Sequence, residues 1–235
     1  MKIAPSIQKG NILIELSHIT FHYHDSLALK DFSATFEDGR AYCLMGPNGC
    51  GKSTLFRILN GLSFPESGTY QLDGEEITGK KLKNEDFSRE FHKKLGFVFQ
   101  NPEVQLFSKT VEDEIAFGPL QLGWPKERIR EEVDRYLELL NLTDLRYRAP
   151  FHMSGGEQKR CALASILIMN PQVLMLDEPV NGLDEDGEAA MIEFLKSMKS
   201  PDRTMIIATH RREIAEALAD EVLHMTKEHT LEGCY

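Results

Sequence analysis

Cysteine is scarce. The 235 residues hold four, Cys43, Cys50, Cys161 and Cys234, without the paired spacing of a zinc site or a disulfide framework. Reduced thiols, as in a cytoplasm, are therefore expected. Long apolar runs are missing too. The longest, residues 161–169, falls far below the roughly 20 residues that span a bilayer, so any membrane association has to pass through a partner. The first ten residues lack a basic segment followed by an apolar run, and no secretory signal is expected. Basic charge is in short supply: 27 Lys and Arg face 37 Asp and Glu, giving a formal net charge of -10 and a pI near 5.3. That balance offers no footprint for nucleic acid, which is not expected as a partner. Internal repeats and low-complexity stretches are also absent.

What is present suits a sizeable core: 41% of residues are hydrophobic, and 1–235 reads as one domain. Alternation marks strands at 12–16, 32–36 and 41–45, with the turn Glu37-Asp38-Gly39-Arg40 before the last. A helix opens at Lys52 and closes near Gly61, and a strand follows at 69–72. The charged, aperiodic stretch 80–94 reads as loop plus a short helix, and 96–99 as strand. Between Thr110 and Ala149 the pattern is helical, with Ile129, Val133, Tyr136, Leu137 and Leu140 at helical spacing behind Pro125 as the first helical residue. Beyond it, helices at 154–170, 185–199 and 211–219 alternate with strands at 173–176, 204–208 and 221–225. The all-apolar Val173-Leu174-Met175-Leu176 predicts a strand buried on both faces, hence an α/β fold with a mostly parallel sheet.

Three segments carry chemistry. Gly46-Pro47-Asn48-Gly49-Cys50-Gly51-Lys52-Ser53-Thr54 fits G-x-x-x-x-G-K-[ST] between a strand and a helix. Glycines let backbone N–H groups turn inward around a phosphate, and the helix N-terminus adds positive potential. Lys52 is expected at the β- and γ-phosphates and the Ser53 hydroxyl on Mg²⁺. The second segment is the apolar strand ending in Asp177 and Glu178. Asp177 can hold the Mg²⁺ shell, while Glu178 reaches toward the γ-phosphate, where a carboxylate can orient and deprotonate water. Alone, such a pair is often a solvated strand end; behind a P-loop it is a nucleotide site. In the third, Ser154 N-caps a helix after Met153, and Gly155, Gly156 and Glu157 leave its first turn open as a second anion site. A second phosphate site on one chain makes physical sense if it serves ATP bound to another subunit.

Together these segments resemble the ATP-binding cassette (ABC) family over essentially the whole chain. The P-loop resembles its Walker A, Asp177 and Glu178 its Walker B and catalytic glutamate, and Ser154–Glu157 its signature. Asn181-Gly182-Leu183-Asp184 is similar to the D-loop, His210 to the switch histidine, and Gln100 to the Q-loop glutamine that binds metal and water. Tyr23 matches the aromatic that stacks on adenine, although a tyrosine at a strand end is more often plain surface or core. The resemblance implies a P-loop core, an antiparallel β subdomain and a helical subdomain over roughly 101–165. It also implies ATP with Mg²⁺, catalysis by Glu178, His210 and Gln100, and closure of two subunits over ATP. His22, His24, His92, His152, His224 and His229 show no ligand spacing and read as solvated.

Residues 100–107 and 111–119 further resemble the energy-coupling-factor branch, including its cobalt and nickel importers. The implied partners are a second ABC ATPase, identical or related, a transmembrane coupling protein and a substrate-binding membrane protein. The chain would then lie peripherally on the cytoplasmic face of the membrane, with Leu106 and Phe107 as contact surface; the competing reading makes both ordinary core residues. Metal ion and vitamin are equally open as cargo. Met153 and Glu157 depart from the Leu and Gln common in the signature, and Val104 from an acidic residue common in the branch. Neither signature departure touches Ser154 or Gly156. The chain ends at Tyr235 without a long extension, so no regulatory domain is expected. A soluble ABC ATPase of an assembly machinery, such as that for iron–sulfur clusters, is the alternative. A chromosome-organising ATPase is set aside: residues 54–153 show neither heptads nor paired cysteines.

Overall fold

The computed structural model describes residues 11–234. The expectations placed on residues 1–10 and on the end at Tyr235 lie outside them. Two long strands, β1 (Ile12–Tyr23) and β2 (Ser26–Glu37), form a hairpin, and β3 (Ala41–Met45) leads into helix α1 (Lys52–Leu59). Next come β4 (Ser67–Leu72), β5 (Glu75–Glu76), α2 (Glu85–Lys94) and β6 (Leu95–Val98). Helices α3 (Val111–Gln121), α4 (Lys126–Leu139) and α5 (Gly155–Leu167) follow, then β7 (Val173–Asp177) and α6 (Glu185–Ser197). The chain finishes with β8 (Thr204–Thr209), α7 (Arg212–Leu218), β9 (Glu221–Met225) and β10 (Leu231–Cys234).

Two sheets result. Strands β2-β1-β4-β5 pair antiparallel, and β10-β9-β3-β8-β7-β6 form a second sheet that is parallel except at its β10 edge. The period of two is legible in the core itself. On β7, Val173 and Met175 face the side packed with α1 and the antiparallel sheet, while Leu174 and Leu176 face the side packed with α3, α5 and α6. On β8, Ile206 and Ala208 divide from Met205 and Ile207 in the same way. Both strands are sealed from water on both faces, as their uninterrupted apolar sequence requires.

On the helical side, α5 lies between α3 and strand β6. Gly96 on β6 permits that approach, since a Cβ there would sit 2.5 Å from the Ile166 side chain. The Tyr136 hydroxyl donates to the Leu167 carbonyl at 2.8 Å and ties α4 to the end of α5.

Some expectations needed correction. The strands expected at 12–16 and 32–36 run to twelve residues each, and their register slips at several points, two of them where His18 and Asp31 adopt left-handed backbone. Pro125 precedes its helix rather than opening it: its ψ of 138° is extended, and α4 begins at Lys126. The loop and short helix expected over 80–94 do form, the helix over 85–94 capped by the Asn84 side chain accepting from the Phe87 N–H at 2.9 Å. That helix buries Phe91 and lays the partly buried Phe87, one turn earlier, against the same core, an apolar stripe of two residues easily lost among the charges. Strand β10 had no counterpart in the sequence reading.

Candidate nucleotide site

The P-loop joins β3 to α1 at the carboxyl edge of the parallel strands, where α/β sheets place their ligands. Gly51, the N-cap of α1, has φ of 110°, and a Cβ there would lie 2.4 Å from the Ala28 carbonyl oxygen. No side chain fits, so the glycine lets the loop turn tightly against β2. The Lys52 ammonium donates to the carbonyls of Gly46 (2.7 Å) and Pro47 (3.2 Å), which holds it over the loop. Cys50 is buried beneath, with its sulfur 3.9 Å from that ammonium.

Strand β7 delivers the carboxylates. Asp177, buried at the strand end, accepts from the Ser53 hydroxyl at 3.0 Å. Burial raises its pKa above the ordinary aspartate value, with the Ser53 hydrogen bond opposing. A hydroxyl and a carboxylate at this spacing form an oxygen donor set that suits a hard divalent cation, whose charge would offset the cost of burying the carboxylate. Glu178 is 5% exposed, yet its carboxylate is held on both oxygens: the Thr209 hydroxyl donates to one at 3.1 Å, and His210 Nδ1 lies 2.7 Å from the other. Its backbone is left-handed, φ 46°, where non-glycine residues are uncommon.

These groups surround a cleft of about 510 Å³, within the usual size of a small-molecule site. Asn48, Gly49, Gly51, Lys52, Ser53 and Thr54 form one wall. Gln100, Asp177, Glu178 and His210 form a second. Tyr23 stands at the hairpin tip, paired with Ser26, edge-on to Phe21 at 4.9 Å and 42% exposed. A ring so placed can stack on a planar base. Tyr23→Ala is expected to weaken nucleotide binding about 5- to 150-fold, the worth of one base–aromatic stack, as read by fluorescent-nucleotide titration. Unchanged affinity would return Tyr23 to ordinary surface.

Four residues of this cleft carry no signal in the sequence that points to it. Ser26, Leu27 and Ala28 follow Tyr23 around the hairpin and carried no chemical signature. His229, read as solvated, is half-buried in the cleft, in the turn between β9 and β10. His22 and His224 are likewise half-buried, whereas His24, His92 and His152 are exposed as expected. A histidine in a short turn has no sequence period to announce its contacts.

Ser154, Gly155, Gly156 and Glu157 do not line this cleft. Gly156 lines a separate one with Arg160 and Leu183, while Ser154 and Gly155 are exposed at the start of α5. The Ser154 hydroxyl accepts from the Glu157 N–H at 3.4 Å, and the Glu157 carboxylate accepts from the Ser154 N–H at 2.7 Å. The Glu157 departure thus does touch Ser154, contrary to expectation, and the capping box explains why Glu serves where Gln is common. The Ser154 N–H also holds the Glu157 carboxyl below its ordinary pKa. Met153 is 8% exposed and packs in the helical core, a volume-conserving stand-in for Leu.

Comparison with known proteins agrees with the geometry. The profile described as ABC transporter matches residues 29–181. The nickel import ATP-binding protein LarO of Lactiplantibacillus plantarum is 40% identical over 94% of this chain and 92% of its own length. The nickel import ATP-binding protein NikO of Rhodobacter capsulatus is 46% identical over 89% of this chain and 84% of its own. Among solved structures, cbiO1 of Clostridium perfringens, described as part of the ABC transporter complex cbiONQ, superposes with a TM-score of 0.83 at 32% identity, covering 95% of this chain and 88% of that one. A P-loop facing the Asp177–Glu178 pair, a family match over residues 29–181 and relatives matched nearly end to end lead to one conclusion: this chain belongs to the ABC transporter family and is one of its ATPases.

Proposed function

We propose that the chain powers import through a membrane-embedded transporter of the energy-coupling-factor type, by closing with a second ABC ATPase over ATP. The observation that carries this is the separation of its two anion sites. Lys52 and the N-terminus of α1 face the cleft, while Ser154 and Gly155 are exposed at a helix start outside it. A second subunit brought face to face would place its Ser154 and Gly156 on the γ-phosphate held by Lys52. The contacts then exist only while ATP joins them, so hydrolysis releases the pair.

Within the cleft, the Lys52 ammonium binds the β- and γ-phosphates and the α1 N-terminus adds backbone donors. Ser53, Asp177 and Gln100 would hold Mg²⁺, which supplies charge neutralisation on the phosphate oxygens. Glu178 orients the attacking water and takes its proton, with His210 beside it to contact the γ-phosphate.

A membrane partner is supported by the surface of the helical segment, roughly 101–165, which we take as the moving part. Phe107 is 65% exposed and meets Phe117 edge-on at 4.8 Å. Both line a groove with Glu114, whose carboxylate accepts from the Phe107 and Ser108 N–H groups at 2.9 and 2.7 Å. Leu106 packs inward against the core, so of that pair Phe107 alone is offered outward. No helix among the described residues is long and apolar enough to cross a membrane, which leaves attachment at the cytoplasmic face to such a partner. Two relatives are named for nickel import, which favours a divalent metal as cargo over a vitamin.

The test is a tagged pull-down from detergent-solubilised host membranes, with bound proteins identified by mass spectrometry. A transmembrane coupling protein is expected among them, together with the second ATPase or a second copy of this chain. Recovery of soluble proteins alone would overturn the transporter reading in favour of an assembly ATPase.

A further inference from the structure

Glu178 holds an unusual backbone, and the contacts that fix it come from two different parts of the fold. Its N–H donates to the Ala208 carbonyl at 2.9 Å, and its carboxylate is held by Thr209 and His210, all at the end of β8. Its carbonyl oxygen accepts from the Lys159 ammonium at 3.1 Å, and also from the Asn181 N–H of the following turn at 3.2 Å, so Lys159 is the one contact on it from a distant helix. Lys159 is only 9% exposed and stands on the second turn of α5. It lies four positions after Gly155, so the two share one face of that helix. Burial lowers its pKa from the ordinary lysine value, opposed by the charges of Glu178 and Asp177; either protonation state retains an N–H to donate.

A buried lysine could have been placed on a carboxylate, where the charge would be better repaid. This one is bonded to a peptide carbonyl, although both carboxylates are near enough to act on its charge. Rotating a peptide plane swings the side chain attached to it, and the sparsely populated left-handed backbone of Glu178 persists only where its surroundings hold it.

We propose that Lys159 is a positioning residue for ATP hydrolysis: by fixing the Glu178 peptide, it aims the carboxylate and ties that aim to the signature helix of its own chain. The helix that cradles the partner's γ-phosphate at its first turn therefore holds its own chain's catalytic carboxylate at its second. A displacement of α5 at one ATP is felt at the other. This rests on the role given to Glu178 and on the two-subunit reading above.

The experiment is steady-state ATP hydrolysis by the purified full-length chain, alone and with the proteins that co-purify with it, beside nucleotide affinity and melting temperature. Lys159→Met keeps length and removes the donor; Lys159→Arg keeps a donor of full reach; Lys159→Gln keeps a shorter one. The expected order of kcat is parent and Arg, then Gln, then Met, with Met lower than parent by about 10- to 100-fold, the cost of a misplacement near 1 Å. The affinity for ATP stays within about twofold, because the group acts on turnover and not on binding. Parent kcat in Lys159→Met overturns the proposal, and so does a loss of kcat matched by equal losses in affinity and melting temperature. If Lys159→Met does not fold, Arg and Gln decide: equal kcat in those two overturns it. Glu178→Gln separates the premises. Parent turnover there removes the role of Glu178 itself, whereas an inactive Glu178→Gln with a fully active Lys159→Met removes only Lys159.

Discussion

Glu178→Gln is expected to lower kcat for ATP hydrolysis by about 10²- to 10⁴-fold while leaving ATP binding intact, the range for removing a positioned general base. The substitution is nearly isosteric. Thr209 can still donate to the amide oxygen, and His210 can adjust its tautomer to accept from the new amide nitrogen, so the cleft keeps its shape. What is lost is the basicity needed to take a proton from water. Because release depends on hydrolysis, the variant should accumulate as a closed pair in the presence of ATP, seen as a doubled mass by light scattering. Turnover near the parent rate would remove Glu178 from this role. A low rate without accumulation of the closed pair would instead question how hydrolysis is tied to opening.

Ser154→Arg carries the second large effect, and its value lies in a contrast. Ser154 is exposed at the head of α5 and does not line the chain's own cleft. A long guanidinium there should obstruct the approach of another subunit's triphosphate and so block closure. Hydrolysis is expected to fall roughly hundredfold or more, the scale for losing transition-state donors. Affinity of the single chain for ATP should be nearly unchanged. The substitution also removes an N-cap, typically worth about 1 kcal/mol, so the melting temperature has to be measured beside activity. Lost binding by the single chain would contradict the assignment of Ser154 to another subunit's nucleotide.

The parts of this site that could be read from the sequence are those in which chemistry is written in spacing. The P-loop declares itself through glycines at fixed offsets before Lys52, and the Walker B pair through an apolar run that stops at Asp177. Burial on both faces of β7 followed from four consecutive apolar residues. Where contacts depend on irregular backbone, the signal vanished. The outer half of the β1–β2 hairpin slips register around His18 and Asp31, so its alternation could not be followed to Tyr23, and the residues beyond the tip went unseen. His229 enters the cleft from a turn, and α2 packs on the core through Phe87 and Phe91 amid a run of charges. The left-handed backbone of Glu178 is likewise invisible, because nothing in a Leu-Asp-Glu-Pro string states which peptide faces a distant lysine.

The strand order of the larger sheet has a consequence for how the protein comes into being. Strand β3, which launches the P-loop near the start of the chain, has β8 and β9 as its neighbours, while β7 with its carboxylates joins only through β8. Residues 41–45 must therefore wait for residues 204–209 to leave the ribosome before their hydrogen bonds can form. Ser53 and Asp177 likewise meet late in synthesis. A nascent chain that has not yet released β8, however long its P-loop has been exposed, lacks the scaffold that opposes lysine to carboxylate, and so the energy-spending site cannot assemble as the chain is read but only after the strand that joins its halves.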